Sequence, residues 1–239
     1  MPKTIQTVLI PTDGSDRSTA AARRGFDLAA ALDCTVHVLS VADSSIATGA
    51  GYAGDSPSIR KRLRETAAER ADSLSDEATQ HGIEASAVTR EGIPALEIVR
   101  FAEDKEIDAI ILGTSGRGGV PRAVMGSVAD KVVRTASVPV ITITPSAARA
   151  EPIGTVNTVL IATDGSETAS AVANLGVGLA AQLRASVHFL TVIGQNRSSM
   201  LSEARGDDGA ADDNRLRRGQ LLTSICLHQT REIEVWIHT

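Results

Sequence analysis

The chain has 239 residues, 42% of them apolar and 22% charged, with a formal net charge of −5. That length exceeds one ordinary domain of roughly 100–150 residues, and the composition excludes bulk disorder. Five aromatic residues (Phe26, Tyr52, Phe101, Phe189, Trp236) and a negative charge argue against a nucleic-acid partner, which needs stacking platforms and a basic footprint.

Two distant cysteines, Cys34 and Cys226, and five histidines without ligand spacing speak against a disulfide framework and a bound metal. No run approaches the roughly eighteen apolar residues of a membrane span, so the expectation is a cytoplasmic protein with no membrane partner.

In chain order, residues 8–11 form a short apolar run stopped by the Asp-Gly turn signal, which predicts a buried strand. Ser15 or Asp16 caps a helix whose apolar face carries Ala22, Phe26, Ala29 and Leu32. Residues 36–41 are the second strand, and 42–57 a small-residue loop with three glycines. An amphipathic helix follows over 59–81 and ends at Gly82. A third strand is predicted over 83–89, a helix from Pro94 to about Lys105, and a fourth strand over 108–112. A glycine-rich loop leads to a helix over 127–136 and a fifth strand over 138–143. Strands separated by helices at this regularity predict an open five-stranded parallel α/β sheet with helices on both faces. Ligands of such sheets bind beyond the carboxyl ends of the strands, where strand order reverses.

The loop after the fourth strand reads Gly113-Thr-Ser-Gly116-Arg117, then eight residues to Gly126-Ser127, a G-x2-G-x9-G-S spacing between a strand and a helix. Phosphate binding needs backbone N–H groups at close approach, which glycine permits, and a helix N-terminus adds partial positive charge. The Ser127 hydroxyl can donate to a phosphate oxygen, and Arg117 or Arg122 can neutralise one. Each residue also has an ordinary structural reading. Asp13 suits an Asx turn, Ser127 with Asp130 fits a capping box, and the arginines suit solvated side chains.

Other nucleotide and hydrolase motifs are missing. No Gly-Lys pair exists for a Walker loop, and the first strand ends in Thr12-Asp13-Gly14-Ser15 rather than G-x-G-x-x-G. No G-x-S-x-G elbow follows a strand, and no general base stands beside the loop, so slow hydrolysis at most is expected.

The loop, together with the VLIPTDGS strand and turn, resembles the ATP-binding branch of the universal stress protein family over residues 1–145. The resemblance implies strand order 3-2-1-4-5 and a nucleotide-dependent binding module or switch in stress response. It implies ATP as ligand, with AMP or ADP and accompanying Mg2+ left open. Carried over, it places Asp13 near the nucleoside and Val41 at the adenine edge. Gly113, Gly116, Gly126 and Ser127 lie around the phosphates, and Thr12 and Leu112 flank them. It also implies a homodimer joined edge to edge through the fifth strand, with the downstream protein partner unspecified. Two alternatives stay open: an ATP-using pyrophosphatase or nucleotidyl transferase of related fold, and a dimerising stress protein that binds no nucleotide. The former carries a phosphate loop after strand one, where Asp13 would repel phosphate.

Residues 7–43 recur at 158–194 with an offset of 151 and nineteen of 37 positions identical. So long a period signals a duplicated domain rather than a solenoid. The expected division is a nucleotide-binding domain over 1–145, a linker over 146–154, and an incomplete second copy over 155–239 with a divergent tail from about 214. Asp164 and Val192 repeat Asp13 and Val41, but only 85 residues follow Gly154, too few for a second phosphate loop in register. The spacing Gly206, Gly209, Gly219 recurs without a preceding strand, with Gln220 where serine should stand, and reads as coincidence. A frameshift or a divergent cap would account for the tail, and no fifth strand is recognisable in it.

Overall fold

The computed structural model describes residues 4–44, 57–114, 125–148, 156–163, 166–191, 223–228 and 233–237. The short apolar run at the start gives β1 (Thr7–Thr12), which enters α1 (Asp16–Leu32) through an Asp-Gly turn. The Ser15 side chain caps α1 by accepting from the Ser18 amide at 3.2 Å. Then come β2 (Thr35–Asp43), α2 (Pro57–Gln80), β3 (Ala85–Gly92), α3 (Pro94–Asp104), β4 (Ala109–Gly113), α4 (Ser127–Thr135) and β5 (Val140–Ile143). Pro94 opens α3, where a missing N–H costs nothing. Gly82, at φ +79°, closes α2.

These five strands are parallel in the order β3-β2-β1-β4-β5, as expected. β3 lies two or three residues later than its own pattern suggests, because its pairing with β2 runs from Val36↔Ala85 to Asp43↔Gly92. Two apolar layers sandwich the sheet. One contains Val8, Ile10, Val36, Val38 and Phe26 of α1; the other contains Leu9, Leu39, Ile110, Phe101 of α3 and Val132 of α4.

The first residues of the expected linker, 146–148, belong with the last residue of the expected first domain to a short helix, α5 (Pro145–Ala148). The Ala147 carbonyl accepts from Nε of Arg24, a 4%-exposed arginine that also pairs with Asp27. The 151-residue repeat then reappears as β6 (Thr158–Ala162), α6 (Glu167–Leu183) and β7 (Ser186–Leu190). Its register, Thr158↔Ser186, reproduces Thr7↔Thr35, and Ser166 caps α6 as Ser15 caps α1. Both helices end in a left-handed residue, Asp33 at φ 57° and Arg184 at φ 54°. The repeat therefore preserves backbone geometry where side-chain identity changes.

Val156, Val159, Ile161, Val172, Leu179 and Ala180 continue the same apolar cluster as β1 and α1. Gln182 binds both backbone groups of Ile5, accepting from its N–H and donating to its carbonyl, each at 2.9 Å.

The tail supplies two strands that sequence reasoning missed, β8 (Thr223–His228) and β9 (Ile233–Ile237). They pair antiparallel with each other, β8 pairs antiparallel with β6, and β9 pairs antiparallel with β5. The sheet thereby becomes nine-stranded, β3-β2-β1-β4-β5-β9-β8-β6-β7. The homodimer expected from the family resemblance would use this same edge. The β5 edge is taken by the chain's own β9 along all four residues, and a strand offers only one outer row of backbone groups.

Candidate functional site

The order of β3-β2-β1-β4-β5 reverses between β1 and β4, and the carboxyl ends of these two strands carry the Asp-Gly turn and the glycine loop. The turn is held by its own side chains. The Asp13 carboxylate accepts from the Ser15 amide at 2.9 Å, and the Thr12 hydroxyl accepts from the Gly14 amide at 3.1 Å while lying 3.1 Å from the Ser18 hydroxyl. Gly14 has φ +73°, and Arg70 of α2 lies across it so closely that a Cβ would fall 2.5 Å from the arginine Cδ. The positive φ is what favours glycine here, since the Arg70 side chain is flexible and can move aside.

Strand alternation sorts the sequence-predicted residues. Leu112 and Val41 share the apolar layer of α3 and α4, together with Met125 and Ala129. Asp13, one residue past β1, follows Leu9 and Pro11 on that side of the sheet. Thr12 falls in the opposite phase, buried at 6% exposure and engaged in the turn. It is a residue of the turn rather than of the Val41–Leu112 surface.

β4 ends at Gly113, and the Thr114 amide donates to the carbonyl of Ile143 at 3.1 Å. The Gly126 amide donates to the Thr114 carbonyl at 2.8 Å, so the loop's two ends are clasped together. Gly116 and Arg117, with Gly118, Gly119 and Arg122, lie outside the described residues, as do residues 45–56, Asp164, Val192 and Gly206–Gly219.

Gly126 is the N-cap of α4, with φ −60° and ψ 148°. That backbone is open to any residue. What glycine provides is the absence of a side chain at the cap.

Ser127 is the first helical residue and is exposed, and the N-cap residue Gly126 has no side chain with which to cap α4. The capping-box reading fails because the Asp130 carboxylate instead accepts from Arg134 Nε at 3.0 Å through both oxygens. α1 and α6 close their first turns with Ser15 and Ser166, whereas α4 opens onto the glycine loop with a glycine at its N-cap, which offers no side chain to the first N–H groups. Such an end favours an anion by dipole and by hydrogen bonding. The donor set and the adjoining apolar surface of Val41, Leu112 and Met125 suit a ligand with a phosphate end and a flat apolar end.

Among the described residues no three His, Cys, Asp or Glu side chains gather as metal ligands. His37 is structural: its Nδ1 lies 2.7 Å from the Ser86 hydroxyl, its ring meets Phe101 edge-on, and burial followed by the charge of Lys105 lowers its pKa.

The sequence profile of the universal stress protein family matches residues 4–144. The chain belongs to the universal stress protein family. A universal stress protein of Methanocaldococcus jannaschii is 37% identical over 136 residues, 57% of this chain and 80% of the relative. The universal stress protein YxiE of Bacillus subtilis is 26% identical over 141 residues, 56% of this chain and 95% of the relative. A crystal structure of a universal stress protein from Archaeoglobus fulgidus has TM-score 0.64 at 20% identity, covering 83% of this chain and 71% of its own. That likeness of fold extends past the family-matched segment.

Arg70, Thr114 and Met125 escaped sequence reasoning. Arg70 reaches Gly14 from 56 positions away, and Thr114 acts through its backbone; neither leaves a local signal. Met125, directly before the helix-start glycine, was the legible one.

No described helix is long and apolar enough to cross a membrane.

Proposed function

We propose that the chain is an ATP-binding universal stress protein, a cytoplasmic binding module or switch in stress response rather than a rapid catalyst. The observation that carries this reading is the uncapped N-terminus of α4, held at the closed neck of the Gly113–Gly126 loop beside Val41 and Leu112. In this reading Ser127 and the first amides of α4 take the phosphates. Gly113 and Gly116 allow close approach, Arg117 offsets charge, Asp13 binds the nucleoside, and Val41 and Leu112 border the base. ATP supplies phosphate charge that suits the positive end of the helix; AMP and ADP share the same contacts in part.

The site occupies the proposed first domain, 1–145, followed by a linker at 146–154 and a partial second copy at 155–239. The first domain then holds the one intact phosphate loop. Mass spectrometry of ligand released from purified protein, with calorimetric titration of ATP, AMP and ADP, tests this. One site per chain, with ATP tightest, is the expected result. No heat with any adenine nucleotide would leave the non-binding alternative standing.

A further inference from the structure

We propose that Arg70 is a specificity-determining residue of the nucleotide site: its positive charge lets Asp13 and a row of phosphates share one end of the sheet, and so sets the preference for ATP over the bare nucleoside. The inference rests on the nucleotide reading above. Its starting point is a conflict of charge. β1 and β4 are neighbours in the register Leu9↔Ile110, so Asp13 and Thr114, each one residue past its strand, come out at the same level of the sheet. Thr114 in turn holds Gly126 and the N-terminus of α4. Charges on neighbouring strands, about 5 Å apart, act on each other at physiological salt, whose screening length is about 8 Å. The Asp13 carboxylate therefore opposes an anion at that helix end.

The second observation is where α2 places a cation. Nε of Arg70 falls 2.6 Å from the point at which a Cβ on Gly14 would stand, with Cδ at 2.5 Å and Cγ at 2.9 Å. Gly14 has no side chain and leaves that room, so the charged end of Arg70 rests on the backbone directly after Asp13. The stem of this half-buried arginine is flexible, but its base is held. Ala67 and Ala71, on either side of Arg70 in α2, are fully buried, and Leu74 and Ala78 enter the apolar cluster that contains Phe26 of α1. Arg23 of α1 donates Nη2 to Glu77 of α2 at 3.1 Å, which ties the two helices side by side. A guanidinium stays charged at any working pH, so Arg70 offsets one negative charge at the turn permanently. With Asp13 offset, the dipole of α4 decides the sign of the field, and an added phosphate is attracted rather than repelled.

The test is calorimetric titration of the full chain with ATP and with adenosine, read as the ratio of the two dissociation constants, in which changes to the nucleoside contacts cancel. Arg70→Gln should lower the preference for ATP by about fivefold or more, and by less at high salt. Asp13→Asn should raise the preference, and the double variant should return close to wild type, because one positive and one negative charge are then removed together. Arg70→Lys keeps the charge without the planar fork of donors, so it should hold the ratio within about twofold. An unchanged ratio in Arg70→Gln, or a fall in Arg70→Lys as large as in Arg70→Gln, overturns the proposal, since either result assigns Arg70 to shape alone. Asp13→Asn leaves α2 intact, and the absence of a rise there overturns it as well, however the variants at position 70 fold. A wild type that binds neither ligand ends the nucleotide reading and this inference with it, whereas ATP binding with a ratio indifferent to position 70 ends the inference alone.

Discussion

The amide of Gly126 donates to the carbonyl of Thr114 at 2.8 Å, joining across the glycine loop the first residue after β4 to the cap of α4. This contact fixes the helix N-terminus beside the end of β4 whatever course the intervening residues take. It also gives the site its electrostatic character, because the helix dipole then points its positive end at the strand-order reversal.

A charge placed at that end should separate stability from binding. Ser127→Asp puts a carboxylate in the first turn of an uncapped helix, which stabilises helices by about 0.3–1 kcal/mol. The same carboxylate repels phosphate. Thermal unfolding should show an unchanged or slightly higher Tm without nucleotide, while calorimetry shows at least a tenfold loss of ATP affinity. Unchanged affinity would remove α4 from the site.

Asp13→Asn keeps an oxygen that can accept from the Ser15 amide, so the turn should persist and stability should move by no more than about 0.5 kcal/mol. A lost charge-assisted hydrogen bond to the nucleoside costs about 1.5–3 kcal/mol, roughly ten- to a hundredfold in Kd. Equal affinity of variant and wild type would confine Asp13 to the turn.

Gly14→Ala should destabilise the fold by about 1–3 kcal/mol, since alanine resists φ +73° and its Cβ would press on Arg70. Urea denaturation measures this as a lower midpoint. A midpoint equal to wild type would mean that the turn relaxes freely.

Ser40 is fully buried on β2, and its hydroxyl has no hydrogen-bond partner among the described residues. Removing an unsatisfied buried polar group is neutral or favourable, by up to about 1 kcal/mol. Ser40→Ala should therefore unfold at the same or higher denaturant concentration. A clear drop would show that the hydroxyl is satisfied in solution.

Burial pushes the Cys34 thiol up to about 11, with the charges of Asp108 and Asp33 acting in the same direction. Its Sγ also lies 3.3 Å from the Ile5 carbonyl oxygen. A thiol held neutral in the fold but ionising near ~8.5 when unfolded stabilises the native state fully below that pH. The contribution is lost as pH rises toward about 11. In a Cys226→Ser variant at pH 8, Cys34 should react with a thiol reagent on the order of a hundredfold more slowly than an unperturbed cysteine. Prompt reaction in the native state would contradict its burial.

The local chemistry of the chain was enough for β1, α1 and their Asp-Gly turn, because a short apolar run, an Asx signal and a serine cap are properties of neighbouring residues. It was likewise enough for the repeat, whose helix caps Ser15 and Ser166 and left-handed ends Asp33 and Arg184 coincide in structure. Strand order 3-2-1-4-5 came from the family resemblance, while the alternation of strands and helices dictated only a parallel sheet. Tertiary structure alone decided that Ser127 follows the cap rather than forming it, because the position of Gly126 is set by a hydrogen bond to Thr114. It alone decided the fate of the tail. Residues 223–237 are short runs whose strand character depends on partners far away, β5 some ninety positions earlier and β6 on the other side. Pairing energy between distant strands is not written in either segment. It arises only when folding brings an open edge and a free strand to the same place.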